Sequence, residues 1–260
     1  MTTSDNKALY DDLVAEYNHH FDYWDWSHLA GRRVEIPAES PAWNYTEIVQ
    51  AAMQQAHSVL DMRTGSGELF LKMLQQSPVP EIYATESYAP NLARACQLLT
   101  PLGALVYETL DEHLPFTNNA LELIINRHGS YDPHEVLRVL KPGRLFITQQ
   151  VGDQTNRRIH DLLGSEKRLL QQKPAWNLDY AVREMHEAGW HIIEQKEQFS
   201  ITRFYDAGAI VYYLKAIPWE VPDFSVGKYF DKLVEIHELI QRESYVDVPF
   251  HTFFITARQE

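Results

Sequence analysis

From about residue 45 onward, short apolar runs alternate with stretches that have helical periodicity. The first run is SVLDM at 58–62, and the helical stretch ELFLKMLQQ at 68–76 follows it. The later runs are IYATE, ALVYE, LELIIN, RLFITQQV, HIIEQKEQF and HTFFITARQ. Short apolar runs bounded by turns are typical of buried strands, and strands that alternate with helices favour a parallel sheet with helices on both faces. The pattern therefore predicts an α/β fold.

Capping residues mark where several of these helices begin and end. Asn44, with Glu47 three residues later, is typical of a capped start for the stretch TEIVQAAMQQA. Pro90 fits the first turn of the helix after IYATE, and the tetrapeptide DPHE at 132–135 places a capping acid and a proline before the next helix. Gly189 is expected to end the helix DYAVREMHEAGW.

The pattern of the chain changes at two places, which suggests how its domains are organised. Residues 1–45 are rich in aromatic and histidine side chains without a clear period, and we interpret them as a lid segment. Residues 46–260 form the predicted α/β domain. Within it, residues at about 205–248 interrupt the alternation, and we expect them to be an insertion packed over one end of the sheet.

The composition argues against several classes of protein. The chain has 23 Lys and Arg residues and 36 Asp and Glu residues, and its net charge of −13 disfavours binding to nucleic acid. Its single cysteine, Cys96, cannot form an intramolecular disulfide, which fits a reducing compartment. No apolar run approaches the roughly 20 residues of a membrane-spanning helix, and the polar start lacks the pattern of a signal peptide. We expect a cytoplasmic protein without a membrane segment.

A glycine-rich turn follows the first predicted strand and has the pattern D-x-R-x-G-x-G over residues 61–67. Such a turn lets the backbone approach a ligand closely, but it lacks both the G-x-G-x-x-G pattern of dinucleotide folds and the lysine of phosphate-binding loops. Glu86 ends the second strand, 25 residues after Asp61. An acid at that place can accept hydrogen bonds from ribose hydroxyls. The pair predicts a nucleoside-containing cofactor without a pyrophosphate.

With these motifs, the sequence resembles the class I S-adenosylmethionine-dependent methyltransferases over roughly residues 45–150. The matching pieces are VLDMRTGSGE, the acid in YATES, LPFTNNALELIINRH and EVLRVLKPGRLFITQQV. Their order and spacing are more specific than the glycine turn alone. The resemblance implies a Rossmann-like three-layer sandwich whose mostly parallel, seven-stranded sheet has an antiparallel last strand. It also implies S-adenosylmethionine as the cofactor.

The resemblance further implies where the cofactor is bound. The turn residues would surround the methionine and ribose portions, Glu86 would hold the ribose hydroxyls, and residues after the second and third strands would flank the adenine. Leu110 and Asp111 are alternative positions for one acid of the family. The implied cofactor-binding residues are Asp61, Thr64, Gly65, Ser66, Gly67, Glu86, Ser87, Tyr88, Asp111, Glu112, Asn126 and Arg127.

Arg63 departs from the pattern of the family, which usually has glycine at this position. A side chain there must point away from the cofactor or occupy part of its pocket. Arg63 could bind the carboxylate of the cofactor as a further cofactor-binding residue. It could equally close the pocket, in which case the chain would be a non-catalytic protein that kept the fold.

Methyl transfer from a sulfonium is an in-line displacement that needs no metal, so the protein has to align the acceptor and, where necessary, remove its proton. His128, at the end of the fourth strand, is the candidate base. The adjacent His19 and His20 lack the i, i+4 spacing of a helical metal site. The predicted substrate-contacting residues, which could alternatively be ordinary packing residues, are Tyr17, His20, Trp24, Trp26, Gln150 and Trp219.

The leading hypothesis from the sequence is a methyltransferase that acts on a small molecule. An RNA methyltransferase is an alternative that the acidic composition disfavours. A non-catalytic protein with this fold is a third possibility, motivated by Arg63. A dinucleotide oxidoreductase is a distant fourth, because Phe70 stands where the third glycine of its motif belongs.

Overall fold

Eight strands form one sheet in the computed structural model, which describes residues 3–21, 24–38, 41–165 and 175–260. The order across the sheet is β1-β7-β8-β6-β5-β2-β3-β4. Strands β2 to β6 pair in parallel, whereas β8 pairs antiparallel with β6 and β1 antiparallel with β7. The strands are β1 (Arg33–Ile36), β2 (Ser58–Met62), β3 (Glu81–Glu86), β4 (Leu105–Glu108), β5 (Leu121–Arg127), β6 (Leu140–Val151), β7 (Trp190–Phe204) and β8 (Val246–Gln259).

Helix α1 precedes β1, and the other helices lie between consecutive strands. Their capping follows the sequence signals. The side chain of Asn44 accepts a hydrogen bond from the Glu47 amide, and that of Asp132 accepts one from the His134 amide. Gly189 has a φ of +94°, the left-handed conformation expected after a helix. The helices are α1 (Thr3–Asn18), α2 (Tyr45–Met53), α3 (Glu68–Gln76), α4 (Ala89–Leu99), α5 (Pro133–Val139), α6 (Arg157–Leu163), α7 (Leu178–Glu187), α8 (Ala207–Ala216) and α9 (Val226–Glu243).

The predicted α/β fold class is confirmed, including the antiparallel last strand. The sheet has one strand more than the seven expected, because β1 adds to its edge and pairs Val34 with Arg203 of β7. This strand lies in the segment for which we found no period. It is four residues long and its two central residues are exposed, as is common for edge strands, so no apolar run reveals it.

The chain forms two compact units. The first unit contains the described parts of Met1–Ser40, Asp153–Ala175 and Phe199–His251. The second unit contains Pro41–Gly152, Trp176–Gln198 and Thr252–Glu260. The predicted division into a lid segment, a main domain and an insertion stays a prediction.

The core of the first unit is helical. It joins apolar side chains of α1, α6, α8 and α9, such as Leu13, Ile159, Ile210 and Leu233. Helix α8 is almost entirely buried, because its sequence AGAIVYYLKA has a single charged residue, in the last turn. Asp206 caps this helix by accepting a hydrogen bond from the Ala209 amide at 2.7 Å.

The second unit has apolar cores on both faces of its sheet, as expected for a three-layer fold. Val59 of β2 belongs to the core formed with α2, α3 and α4, whereas Leu60 belongs to the core formed with α5 and α7. All five residues of β2 are buried, as is typical of a central parallel strand.

Asp61 is the one carboxylate within the buried strand β2. The hydroxyl of Thr64 donates a hydrogen bond to its Oδ2 at 2.6 Å. Burial raises the pKa of Asp61 to about 7; the Thr64 hydrogen bond and the charge of Arg127 lower it, whereas the negative charge of Glu86 raises it. Burial is the largest of these effects, so folding favours the protonated form.

This burial predicts a pH dependence of stability. Between pH 4 and pH 7 the folded protein keeps the Asp61 proton that the unfolded chain has released, so the contribution of Asp61 to stability falls as the pH rises. At pH 8 we expect Asp61→Asn to unfold at a higher urea concentration than the native protein, with a free energy of unfolding larger by on the order of 2 kcal/mol. At pH 4 the free energy of unfolding should gain little. Equal effects at both pH values would contradict the assignment, and Asp161→Asn, at an exposed helical position, is the control.

Candidate functional site

The carboxyl ends of β2, β3, β5 and β6 lie at one edge of the sheet in the second unit. Strand β2 has β3 on one side and β5 on the other, so the strand order reverses next to it. Ligands of open α/β sheets bind at such a reversal, outside the carboxyl ends of the strands. All the residues that the sequence assigned to the cofactor belong to this unit.

The glycine turn after β2 contains two glycines that have similar backbone conformations and different surroundings. Gly65 and Gly67 have φ values of +64° and +87°, which favour glycine. A Cβ at Gly67 would lie 3.2 Å from the Leu99 side chain, so this glycine allows α3 and α4 to pack closely. A Cβ at Gly65 would meet nothing within 4 Å. The turn therefore faces open space at Gly65, where a ligand can approach the backbone.

Glu86 lies beside this turn at the end of β3, as its spacing from Asp61 suggested. Its buried carboxylate accepts hydrogen bonds from the amides of Gly65 at 2.8 Å, Ser87 at 2.7 Å and Tyr88 at 2.9 Å. A carboxylate offers about four acceptor positions. Glu86 therefore keeps about one position for a ligand hydroxyl, and accepting a second hydroxyl requires the release of one backbone amide.

The side chain of Arg63 extends to the loop that follows β4. Its guanidinium donates hydrogen bonds to the carbonyl oxygens of Thr109 at 2.7 Å and Asp111 at 2.8 Å, and it lies 3.9 Å from the carboxylate of Glu112. The backbone of Arg63 has a φ of +61°, a conformation that glycine adopts more easily. The arginine thus connects the glycine turn to the loop that the resemblance places near the adenine.

Gly129 provides the space for this arginine. A Cβ at Gly129 would lie 2.5 Å from Cβ of Arg63 and 2.9 Å from Nδ2 of Asn126. Side chains do not approach so closely, so any other residue at this position would displace Arg63. Arg63 and Gly129 are therefore a sterically matched pair.

The other predicted residues of the turn and the adenine loop have local roles. The hydroxyl of Ser66 donates to the carboxylate of Glu68, and the carboxylate of Asp111 accepts from the His113 amide at 2.9 Å. Leu110 is 80% exposed, so of the two alternative positions only Asp111 has its side chain engaged within the loop.

Asn126 and Gln150 belong to a buried hydrogen-bond network. Asn126 donates to the Met62 carbonyl at 2.9 Å, and its amide oxygen accepts from Gln150 at 2.5 Å. Gln150 also donates to the carbonyl of Gly129 at 3.1 Å. The two amides hold the ends of β2, β5 and β6 together. Their assignments to cofactor and substrate stay predictions.

His128 follows β5 and forms a hydrogen-bonded chain with Gln149 and Trp43. The indole N–H of Trp43 donates to Oε1 of Gln149 at 2.8 Å, and Nε2 of Gln149 lies 3.0 Å from Nε2 of His128. Because an indole nitrogen can only donate, the amide must present its NH₂ group to the histidine. Nε2 of His128 therefore accepts, and its proton is on Nδ1.

The same surroundings favour the neutral form of this imidazole. The protein atoms around His128 lower its pKa below the usual range, and the positive charge of Arg127 lowers it further. The residue remains exposed to solvent, which limits this shift. Protonation at Nε2 would require the Gln149 amide to move away, since two donors would then face each other.

A cleft of about 360 Å³ lies beside these residues in the second unit. Most of its lining was not predicted from the sequence, because Trp43 and Tyr45 precede the recognised motifs and Gln149 lies within the run RLFITQQV without a motif of its own. The capped helix start at Asn44 was the available signal, since it places the preceding tryptophan next to the sheet. Polar and aromatic residues around the cleft are Trp43, Asn44, Tyr45, Thr46, Arg127 and Gln149.

Five of the six predicted substrate residues lie in the first unit, whereas Gln150 lies in the second. Trp24 contacts Trp26 with ring centroids 6.2 Å apart and Trp219 at 5.7 Å, although Trp219 is distant in sequence. Tyr17 packs against Phe224, and the carbonyl of His20 accepts a hydrogen bond from Tyr212. The fold thus brings the three tryptophans together, and their contact with substrate stays a prediction.

No group of three or more histidine, cysteine or carboxylate side chains among the described residues could hold a metal ion. Within the same ranges, no helix is both long enough and apolar enough to cross a membrane.

No family model and no curated protein sequence matches the chain. Two putative methyltransferases are similar in structure. One, from Bacillus halodurans C-125, aligns with a TM-score of 0.59 and 16% identity over 82% of this chain and 96% of its own. The other, for sarcosine and dimethylglycine, from Galdieria sulphuraria, aligns with a TM-score of 0.51 and 13% identity over 82% of this chain and 81% of its own.

A protein named as a cyclase, SpnF, is also similar, with a TM-score of 0.54 and 13% identity over 97% of this chain and 94% of its own. At these identities the similarity establishes the fold. The chain has the fold of the class I S-adenosylmethionine-dependent methyltransferases.

Proposed function

We propose that the chain transfers the methyl group of S-adenosylmethionine to a small-molecule acceptor. The observation that carries the proposal is the contact between Gly65 and Glu86 at the point where the strand order reverses. A glycine turn that faces open space beside a buried acid suits a ribose better than a pyrophosphate, since the turn offers no lysine.

The residues at the sheet edge fit this cofactor. The turn from Thr64 to Gly67 would lie along its methionine and ribose portions, and Glu86 would accept at least one ribose hydroxyl. Ser87, Asp111 and Glu112 would flank the adenine. The cofactor supplies a methyl group that is already activated as a sulfonium. The protein therefore has to bind the acceptor, align it with this methyl group and exclude water.

A proton on the acceptor would need a base, and His128 is our candidate. Its neutral form has a lone pair on Nε2 that becomes available once the Gln149 amide is displaced, and because its pKa is lowered this base suits an acceptor that loses its proton readily. An acceptor whose hydroxyl replaces the Gln149 NH₂ group as the donor to Nε2 of His128 would produce that displacement. Acceptors without an acidic proton, such as a neutral amine or thioether, would not need the histidine.

Charge supports a small-molecule acceptor over RNA. The net charge of −13 opposes association with a phosphate backbone, because such binding depends on many lysine and arginine contacts. We also propose a cytoplasmic location, on the basis of the single cysteine and the acidic composition.

The second candidate is a protein that uses this fold for something other than methyl transfer. Arg63 favours it, since the family usually has glycine there, and the structural similarity to the cyclase SpnF extends over nearly the whole chain. Fold alone does not distinguish the two candidates. Cofactor binding partly distinguishes the two candidates. The effect of replacing Arg63 on that binding then shows whether the arginine supports the cofactor site or closes it.

Calorimetric titration with S-adenosylmethionine and S-adenosylhomocysteine tests the proposal. We expect micromolar binding by the native protein and binding weakened by up to about thirtyfold in Arg63→Gly, because two hydrogen bonds to the adenine loop, each worth about 1 kcal/mol, are lost. Glycine suits the left-handed backbone at this position, so the variant should fold.

Arg144→Ala, at the opposite end of the sheet, is the control and should bind as the native protein does. Binding by the glycine variant alone would mean that Arg63 closes the pocket and would support the non-catalytic candidate. Absence of binding by both proteins would overturn the proposed cofactor.

The state of His128 can be tested by nitrogen NMR of the imidazole between pH 5 and pH 8. We expect the native ring to stay neutral with its proton on Nδ1, because Nε2 accepts from Gln149 and Arg127 disfavours a second charge. Gln149→Glu should raise the pKa of His128 by at least one unit, since a carboxylate then faces Nε2. A native histidine that is protonated at pH 6 would contradict this assignment.

A further inference from the structure

The cleft beside α2 is distinct from the part of the sheet edge that we assign to ribose and adenine. Arg127 and Gln149, at the ends of β5 and β6, form one side of it, and the first turns of α2 and α3 form the other. Its volume of about 360 Å³ lies in the usual range for small-molecule sites. It therefore has the size and place of an acceptor site.

One wall of the cleft is a fixed aromatic surface. The indole of Trp43 stacks on the ring of Phe254, with centroids 5.7 Å apart and planes 24° apart, and its N–H is held by Gln149. Leu69 and Pro41 add apolar surface. A ring that is held on one face and by its N–H offers a preorganised surface for a planar, apolar group.

The polar groups around the cleft are mainly hydrogen-bond donors. Arg127 lines it and has no hydrogen-bond or ion-pair partner among the residues that the structure describes. The hydroxyl of Tyr45, a residue that is only 6% exposed, likewise has no hydrogen-bond partner there. Helix α2, nine residues long, begins at the cleft with its positive end. A ligand with negative charge would satisfy Arg127 and the start of α2, whereas the Tyr45 hydroxyl is enclosed by protein atoms.

The other polar side chains that line the cleft carry no negative charge. The amide of Gln149 is already used by Trp43 and His128. Asp61 is the carboxylate whose charge reaches both Tyr45 and Arg127, and its burial favours the protonated form up to near neutral pH. Arg127 is thus the charged side chain among those that line the cleft, while Glu47 and Glu68 stand in the first turns of α2 and α3 and the chain as a whole is strongly negative.

We infer that this cleft binds the methyl acceptor and that the acceptor is a planar molecule carrying a carboxylate. The carboxylate pairs with Arg127, in the bidentate geometry that guanidinium groups favour, and the planar part lies against Trp43. That the ligand of the cleft is the methyl acceptor rests on the proposed function. The selectivity of the cleft for planar carboxylates does not depend on it.

Calorimetric titration with benzoate, benzamide and benzylammonium, with and without saturating S-adenosylhomocysteine, tests the inference. The three probes share a ring and differ in charge. We expect benzoate to bind at least tenfold more tightly than either of the others, because only benzoate pairs with Arg127. Equal binding of all three probes, or no binding of benzoate, would overturn the inference.

Variants of Arg127 separate the acceptor from the cofactor. The resemblance placed Arg127 with the cofactor, whereas the present inference gives it to the acceptor. Arg127→Met should therefore lose the tenfold preference for benzoate while affinity for S-adenosylhomocysteine is retained, and Arg127→Lys should recover part of the preference as a point charge. The control Arg144→Met, at a half-buried arginine outside the cleft that pairs with Glu122, should change neither affinity.

A loss of S-adenosylhomocysteine affinity in Arg127→Met, with the preference for benzoate retained, would mean that Arg127 serves the cofactor and would overturn the acceptor assignment. Should the native protein fail to bind S-adenosylhomocysteine, the proposed function fails. The preference for benzoate measured without that ligand then still decides whether the cleft selects planar carboxylates.

Discussion

Burial of β2 on both faces is the constraint on which the rest of the site depends. Its apolar side chains point into two separate cores, so the strand cannot shift without disrupting both. Because β2 is fixed, the turn that follows it is fixed as well, and Gly65 comes within hydrogen-bond distance of Glu86 on the neighbouring strand. The polar groups of the site are thus held by a strand that is buried along its whole length.

Local sequence signals predicted most of this unit, and they failed where the decisive contacts are distant in sequence. The caps at Asn44 and Asp132, the buried strands and the place of Glu86 follow from spacing and periodicity. Strand β1 did not, because a short edge strand carries no apolar pattern. The cleft was also missed, since Trp43 becomes part of a site only when β6 brings Gln149 next to it.

The direction of the Arg63 side chain could not be read from the sequence either. The resemblance to the methyltransferases implies only that an arginine stands where the family usually has glycine. Whether the side chain enters the pocket depends on the carbonyl oxygens of Thr109 and Asp111 and on the space above Gly129, which belong to two other loops. A departure from a motif is therefore informative only together with the residues that accommodate it.

The matched pair of Arg63 and Gly129 constrains the order in which the two positions can change during evolution. A side chain at position 129 is excluded while the arginine is present, but glycine at 129 is compatible with either glycine or arginine at position 63. An ancestor with glycine at both positions could acquire the arginine in one step. The reverse path to a bulkier residue at 129 requires both that the arginine be lost and that Asn126 move, because a Cβ there would also lie 2.9 Å from Nδ2 of Asn126.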